Sequence, residues 1–298
     1  MTEDFSKVLH YFDDHEVLVN DHGMNNRYRY AKAKKSGEWF FVKHADNKQE
    51  REGLHREVEW AKFMQYVAET KHDEHLKGPE IIDYISDHTL VFRYIEAPLL
   101  VERHDVATWR AHMKRYAAML HTLDECAQSW RPDSIEGRLS RTQDFDHIWR
   151  KWLGDNITQV ERYNDATVVM TESIPQITTL MQHGDLTPWQ IFTDGDSWII
   201  YDGERSGVDL PRFNDIAYGY GRLYTMFHSK EAAKSLINHY LEASGMNKWL
   251  FIEKFRIALI NRSIGIISDA FRDRERDDYI NDAKELLATC LDAPDTLA

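Results

Sequence analysis

Between Met181 and Glu204 the chain reads MQHGDLTPWQIFTDGDSWIIYDGE, the stretch around which the rest of the chain is organised. Ile191-Phe192 is a short apolar piece, Asp194-Gly195-Asp196 carries turn residues, and Trp198-Ile199-Ile200-Tyr201 is β-branched and aromatic. Gly accepts φ > 0 and Asp caps its own turn, so the segment predicts a tight β-hairpin. Such a hairpin brings Asp185, just before its first strand, near Asp202 at the end of its second. Two carboxylates are then held at a separation that the hairpin fixes.

Paired carboxylates support at least two chemistries. One can take a proton from a nucleophile while the other holds a divalent metal, or both can do acid–base work as in glycoside hydrolysis. The neighbouring residues favour the first. Gln190, five residues after Asp185, adds a neutral oxygen ligand that suits a hard cation such as Mg²⁺. Gly184 permits a strained loop backbone, and His183 can tether that loop through its ring nitrogens. Stripped of those neighbours, the same acids would read as turn caps on an ordinary hairpin.

The run His183-Gly184-Asp185-Leu186-Thr187-Pro188-Trp189-Gln190, with Asp202-Gly203-Glu204 beginning twelve residues later, resembles two segments of the aminoglycoside phosphotransferase family: its catalytic loop and its metal-binding segment. That family belongs to the protein-kinase-like superfamily of small-molecule kinases. Its usual loop is H-G-D-x-x-x-x-N. Gln190 stands where Asn is usual and offers its carbonyl oxygen from one methylene further out. Asp215, in Pro211-Arg212-Phe213-Asn214-Asp215-Ile216-Ala217, resembles the family's aspartate that supports the loop and opens a helix.

The resemblance implies an α+β, bilobal protein-kinase-like fold with nucleotide between the lobes. Residues 1–98 would be a small β-rich N-lobe, a nucleotide-binding sheet plus one helix. Residues 99–298 would be a larger, mainly helical C-lobe with the catalytic loop and the acceptor-binding helices. The resemblance further implies ATP and Mg²⁺ as cofactors and transfer of the γ-phosphoryl group to a hydroxyl of a small molecule, such as an aminoglycoside, choline, homoserine or a sugar. Asp185 would orient and deprotonate that hydroxyl, and Asp202 and Gln190 would hold the metal. Such catalysis works by placement and electrostatics, without a covalent enzyme intermediate.

The first hundred residues read as β-rich. Arg27 to Ala33 alternates, Ser36-Gly37 is a turn, and Trp39-Phe40-Phe41-Val42-Lys43 is a strong strand. In the resemblance Lys43 matches the strand lysine that contacts the α- and β-phosphates. Asn47 to Glu69 is helical, with Leu54, Val58, Ala61, Phe63 and Met64 at helical spacing. The family pairs its lysine with a glutamate on this helix; Glu57 is the choice and Glu59 the alternative. The segment 21–27 falls where kinases carry a phosphate-covering loop and has one Gly, Gly23. Strands are expected at Ile81–Ile85 and Thr89–Ile95 around Ser86-Asp87-His88, followed by Glu96-Ala97-Pro98 as a linker. By resemblance this is the hinge, where main-chain groups of Tyr94, Ile95, Glu96 and Ala97 bind the adenine edge.

The rest reads as helical: 106–126, 145–163, 171–180 with an interruption at Pro175, 216–227, 230–243 with a stop at Gly245, 249–270 and 277–291. The charged run 269–278 reads as a solvated helix end. In the resemblance the C-terminal helices line the acceptor pocket, and acids there would bind a cationic acceptor.

Composition narrows the partners. A chain of 298 residues with 42% hydrophobic and 29% charged residues is long enough for two lobes with a sizeable core. A net charge of −13 argues against general nucleic-acid binding, which needs a basic surface. Cys126 and Cys290 make neither a disulfide scaffold nor a zinc site, so a reducing, cytoplasmic compartment is expected. The start shows no signal peptide, and no apolar run reaches membrane-spanning length. The expected partner is a small-molecule acceptor, with no nucleic acid and no membrane. The acceptor's identity, ATP against GTP and the oligomeric state are left open. Two other readings stand beside this one. A pseudokinase would bind nucleotide or a protein partner without turnover, as Gln190 and the thin loop at 21–27 suggest. A hydrolase using Asp185 and Asp202 would show no dependence on ATP.

Overall fold

The computed structural model describes residues 5–18, 28–103, 105–132, 144–273 and 277–298. The loop at 21–27 and residues 274–276 of the charged run lie outside them. The fold is α+β: an antiparallel sheet fills the N-terminal part and helices dominate the remainder. The chain divides into two compact units, one of residues 1–100 with 190–206 and one of residues 101–189 with 207–298.

The first unit is built on a five-stranded sheet in the order β1 (Asp14–Leu18), β2 (Tyr28–Lys35), β3 (Glu38–Ala45), β6 (Thr89–Arg93), β5 (Ile81–Ile85). Every neighbouring pair is antiparallel, and Lys43 in β3 sits opposite Tyr30 in β2 and Leu90 in β6. Strand alternation gives the sheet two buried faces. Ala31, Ala33 and Val42 pack with Phe5, Val8 and Leu9 of the short helix α1 (Phe5–Leu9). Tyr28, Tyr30, Ala45, Leu90 and Phe92 pack with Leu54 of α2 (Lys48–Lys71). Asn47 starts α2 through a capping box with Glu50, which satisfies main-chain N–H groups at the helix end.

The hairpin foreseen in the sequence is β8 (Ile191–Asp194) and β9 (Ser197–Ile200), turning through Gly195 at φ 58°. It belongs to the first unit. β9 pairs in parallel with β4 (Leu76–Lys77), and the Leu100 N–H donates to the Ile191 carbonyl at 2.7 Å.

The second unit contains α3 (Val106–Ser129), α4 (Phe145–Leu153), α5 (Tyr163–Ser173), the two-stranded pair β7 (Thr179–Gln182) and β10 (Gly207–Pro211), then α6 (Asn214–Thr225), α7 (Lys230–Ser244), α8 (Lys248–Asp273) and α9 (Asp277–Asp292). Its core is aromatic: Trp109, Trp149, Tyr116, Phe213, Tyr220, Tyr240, Phe251 and Phe255 are all buried. His121 lies edge-on to Tyr240.

Two stretches differ from expectation. The single helix foreseen over 145–163 is broken after Leu153, where Gly154 takes φ 53° and a 3₁₀ segment follows. The helix foreseen over 171–180 ends at Ser173; Pro175 opens a 3₁₀ turn, and Thr179–Gln182 is a strand. Among the described residues no helix is long and apolar enough to cross a membrane.

Candidate functional site

Two groups of polar side chains gather the residues expected from the sequence, one in each unit. In the first unit Lys43 projects from the face of β3 that packs on α2. Its Nζ donates to Glu57 of α2, to Glu204 at 2.9 Å and to Asp202 at 3.3 Å. The ammonium also lies 4.2 Å from the centre of the Tyr28 ring. Glu57 is thus the helix partner of Lys43; Glu59 pairs instead with Lys62 at 3.3 Å.

The lysine and Glu57 side chains are each only 4% exposed, so charge here is poorly hydrated. Burial opposes the ammonium, but Glu57, Asp202 and Glu204 outweigh it and hold its pKa well above the ordinary value. Burial also pushes the Glu57 carboxyl up to about 7, with Lys43 pulling the other way.

The tertiary structure grips the segment after β9. Asp202 adopts the left-handed conformation at φ 65°, sparsely populated by residues other than Gly. Gly203 leaves no alternative to glycine, because a Cβ there would lie 2.5 Å from the Trp60 Cβ. The Trp60 indole donates to the Ile200 carbonyl at 3.3 Å, the Arg56 Nε to the Glu204 carbonyl at 2.6 Å, and the Ser206 hydroxyl to the Arg56 carbonyl at 2.9 Å. α2 therefore positions both Glu57 and the acids it faces. The carboxylates of Glu57, Asp202 and Glu204 each place an oxygen within 4.8 Å of the others. Gln190 is buried, and its main-chain carbonyl accepts the Tyr201 N–H at 3.2 Å, which places the residue opposite the end of β9 next to Asp202. An all-oxygen donor set of this kind fits a hard divalent cation such as Mg²⁺.

The segment expected as the hinge follows β6. The Tyr94 N–H donates to the Trp39 carbonyl at 3.1 Å, and the Pro98 carbonyl accepts the Thr193 N–H at 2.8 Å. Between them, the main chain of Ile95, Glu96 and Ala97 makes no hydrogen bond to another described residue.

In the second unit the loop after β7 carries Asp185. Gly184 takes φ 86°, which glycine alone adopts at no cost. The buried Asp215 carboxylate accepts the His183 N–H at 2.7 Å and the Gly184 N–H at 2.8 Å. Tyr116 on α3 donates to the Leu186 carbonyl at 3.0 Å. Asp185 itself is half-buried, and the Tyr218 hydroxyl hydrogen-bonds to it. Tyr218 in turn accepts Arg222 Nη2 at 2.8 Å, and its ring carries the Arg262 guanidinium at 4.1 Å.

Sequence reading missed Glu204, Tyr218, Arg222 and Arg262 as site residues. Signals for three of them were present. Tyr218 and Arg222 are one turn apart on α6 and share a face. Arg262 interrupts an apolar run from Ile257 to Ile267.

No protein-family model matches the chain, and no curated protein matches it in sequence. Solved structures do match over nearly its whole length. An amicoumacin kinase in complex with AMP-PNP, Ca²⁺ and Ami has a TM-score of 0.65 at 13% identity, covering 97% of this chain and 94% of that one. The GDP complex of aminoglycoside 2'-phosphotransferase-IIIa has a TM-score of 0.62 at 14% identity, covering 96% of each chain. A microcompartment-associated aminopropanol kinase has a TM-score of 0.61 at 13% identity, covering 98% and 95%. The chain therefore has the fold of the aminoglycoside phosphotransferases and their protein-kinase-like relatives.

Proposed function

We propose that the protein is a phosphotransferase that moves the γ-phosphoryl group of ATP to a hydroxyl of a small molecule. The observation that carries this reading is the buried Lys43, clasped by Glu57 of α2 and by Asp202 and Glu204 after the hairpin. One lysine among three carboxylates is a poor device for stability, since each ion is costly to bury. It is a good one for holding a phosphate chain and a cation side by side. In this reading Lys43, oriented by Glu57, contacts the α- and β-phosphates, and the main chain from Tyr94 to Ala97 meets the adenine edge. Asp202 and Gln190 hold Mg²⁺, which when bound offsets charge on the phosphates. Asp185 takes the proton of the acceptor hydroxyl as its oxygen bonds to the γ-phosphorus and the bond to the β-phosphate oxygen breaks, releasing ADP. The fold shared with small-molecule kinases supports the same assignment.

The test is thermal unfolding with ATP or GTP and Mg²⁺, wild type beside Asp202→Ala. A ligand that binds only the folded state raises Tm by mass action, about 2.7 kcal/mol at a hundredfold excess over Kd. The expected result is a rise that needs Mg²⁺ and is lost in the variant. No rise with either nucleotide overturns the reading. A rise without turnover of any hydroxyl acceptor would favour the pseudokinase reading instead.

A further inference from the structure

Burying a guanidinium costs stability unless acceptors or an anion meet it. The second unit shows how this chain handles a structural case: Arg212 meets Asp124 through both Nε and Nη2, at 3.0 and 2.6 Å. Arg262 is treated differently. It rises from the middle of α8, flanked by the buried Ile257, Leu259, Ile260, Ile264, Ile266 and Ile267. Its Nε is buried without a hydrogen-bond partner, and no carboxylate among the described residues forms an ion pair with it. Its contact is the face of Tyr218, whose hydroxyl is bonded to Asp185. Burial lowers its pKa from the ordinary arginine value, although Asp185 and Asp269 pull it back up.

Arg222 adds a second cation on the same side. It donates to Tyr218 at 2.8 Å and to Tyr279 at 2.7 Å, and its nearest carboxylate, Asp269, is 3.6 Å away and also holds Arg272 at 3.0 Å. The Arg262 head is not sealed in. At Gly265 a Cβ would lie 3.6 Å from the Trp152 ring and 4.0 Å from the Arg262 Cζ, and Trp152 is 42% exposed. Asp185 thus has two guanidiniums near it, and that of Arg262, half-buried, meets the Tyr218 ring but pairs with no carboxylate among the described residues.

We propose that the acceptor carries an oxyanion, a carboxylate or a phosphate, besides its hydroxyl, and that Arg262, with Arg222 behind Tyr218, receives that group beside Asp185. The inference rests on the reading of Asp185 as the base that serves the acceptor. A guanidinium presents two parallel N–H donors, which match either oxyanion. A cationic acceptor would meet like charge there, and a neutral one would leave Arg262 unmatched.

The test compares matched acceptors by ADP release: glycerate against glycerol, ribose 5-phosphate against ribose, with ethanolamine and kanamycin as cations. Expected is a kcat/KM at least tenfold higher for one anionic member than for its neutral counterpart; which pair responds separates carboxylate from phosphate. In Arg262→Gln the KM for that acceptor should rise at least tenfold with the KM for ATP unchanged, and Arg262→Lys should recover part of the loss. Equal or faster turnover of the neutral or cationic compounds overturns the proposal, as does a preference that survives Arg262→Gln. Without turnover, Tm decides. Glycerate or inorganic phosphate should raise it in wild type and not in Arg262→Gln, and absence of that difference also overturns the proposal. An Arg262-dependent anion shift in a protein that ATP and Mg²⁺ leave unmoved would remove the phosphotransferase reading and keep the anion site. The reverse pattern would do the opposite.

Discussion

At the scale of residues, Lys43 and its three carboxylates set the electrostatics of the first unit. One positive charge cannot neutralise Glu57, Asp202 and Glu204, and of the four side chains only that of Asp202 is open to water. Burial pushes Glu57 up to about 7 from the ordinary 4.5, so the folded protein holds a proton that the unfolded chain releases. The stability this contributes is present below pH 4.5 and is lost as pH rises towards 7. Glu57→Gln removes the titration. Urea midpoints measured across that window without metal should fall with rising pH more steeply in wild type than in the variant. Parallel slopes would show that Glu57 titrates normally. Asp202 bears a cost of another kind: its left-handed backbone costs on the order of 1–3 kcal/mol. Both costs sit on the residues assigned to phosphate and metal.

At the scale of elements, α2 and α6 each discipline a loop. α2 fixes Asp202 to Ser206 through Arg56 and Trp60, and α6 fixes the Asp185 loop through Asp215 in its first turn. Asp215→Ala would leave the buried N–H groups of His183 and Gly184 without an acceptor. Each costs about 1–3 kcal/mol when unsatisfied, so a large loss of urea stability is expected, with Asp215→Asn retaining part of it. Wild-type stability in the alanine variant would show that the loop holds itself. The elements also show what could be read from sequence. The β8–β9 hairpin was legible because its turn and its β-branched residues lie within one short segment. α2, α3, α7 and α8 were legible from helical periodicity. β7 was not, because it pairs with the distant β10, Gln182 opposite Gly207, and Thr179-Leu180-Met181-Gln182 has no strand signature of its own.

At the scale of the whole molecule, the two units hold separable functions in this reading. ATP with Mg²⁺ should slow amide exchange in β3, α2 and residues 198–206. An anionic acceptor should slow it in residues 183–187, α6 and the middle of α8. ATP protection confined to α6 and α8 would contradict the assignment of Lys43. The net charge of −13 says little about either ligand, since charge far from a site is screened within about 10 Å at 0.1 M salt. The acids foreseen as a lure for a cationic acceptor are a case in point: Asp269 is engaged by Arg222 and Arg272.

The sequence by itself determined the local features: the hairpin, the glycine before Asp185, the amphipathic helices and a lysine on an apolar strand. Each follows from backbone preference or periodicity within a few residues. Only the tertiary structure decided which glutamate Lys43 takes, that Glu204 joins it, and that Tyr218, Arg222 and Arg262 gather at Asp185. Those outcomes depend on helix rotation and on contacts between residues far apart in the chain, where burial rather than local preference decides which charges are met.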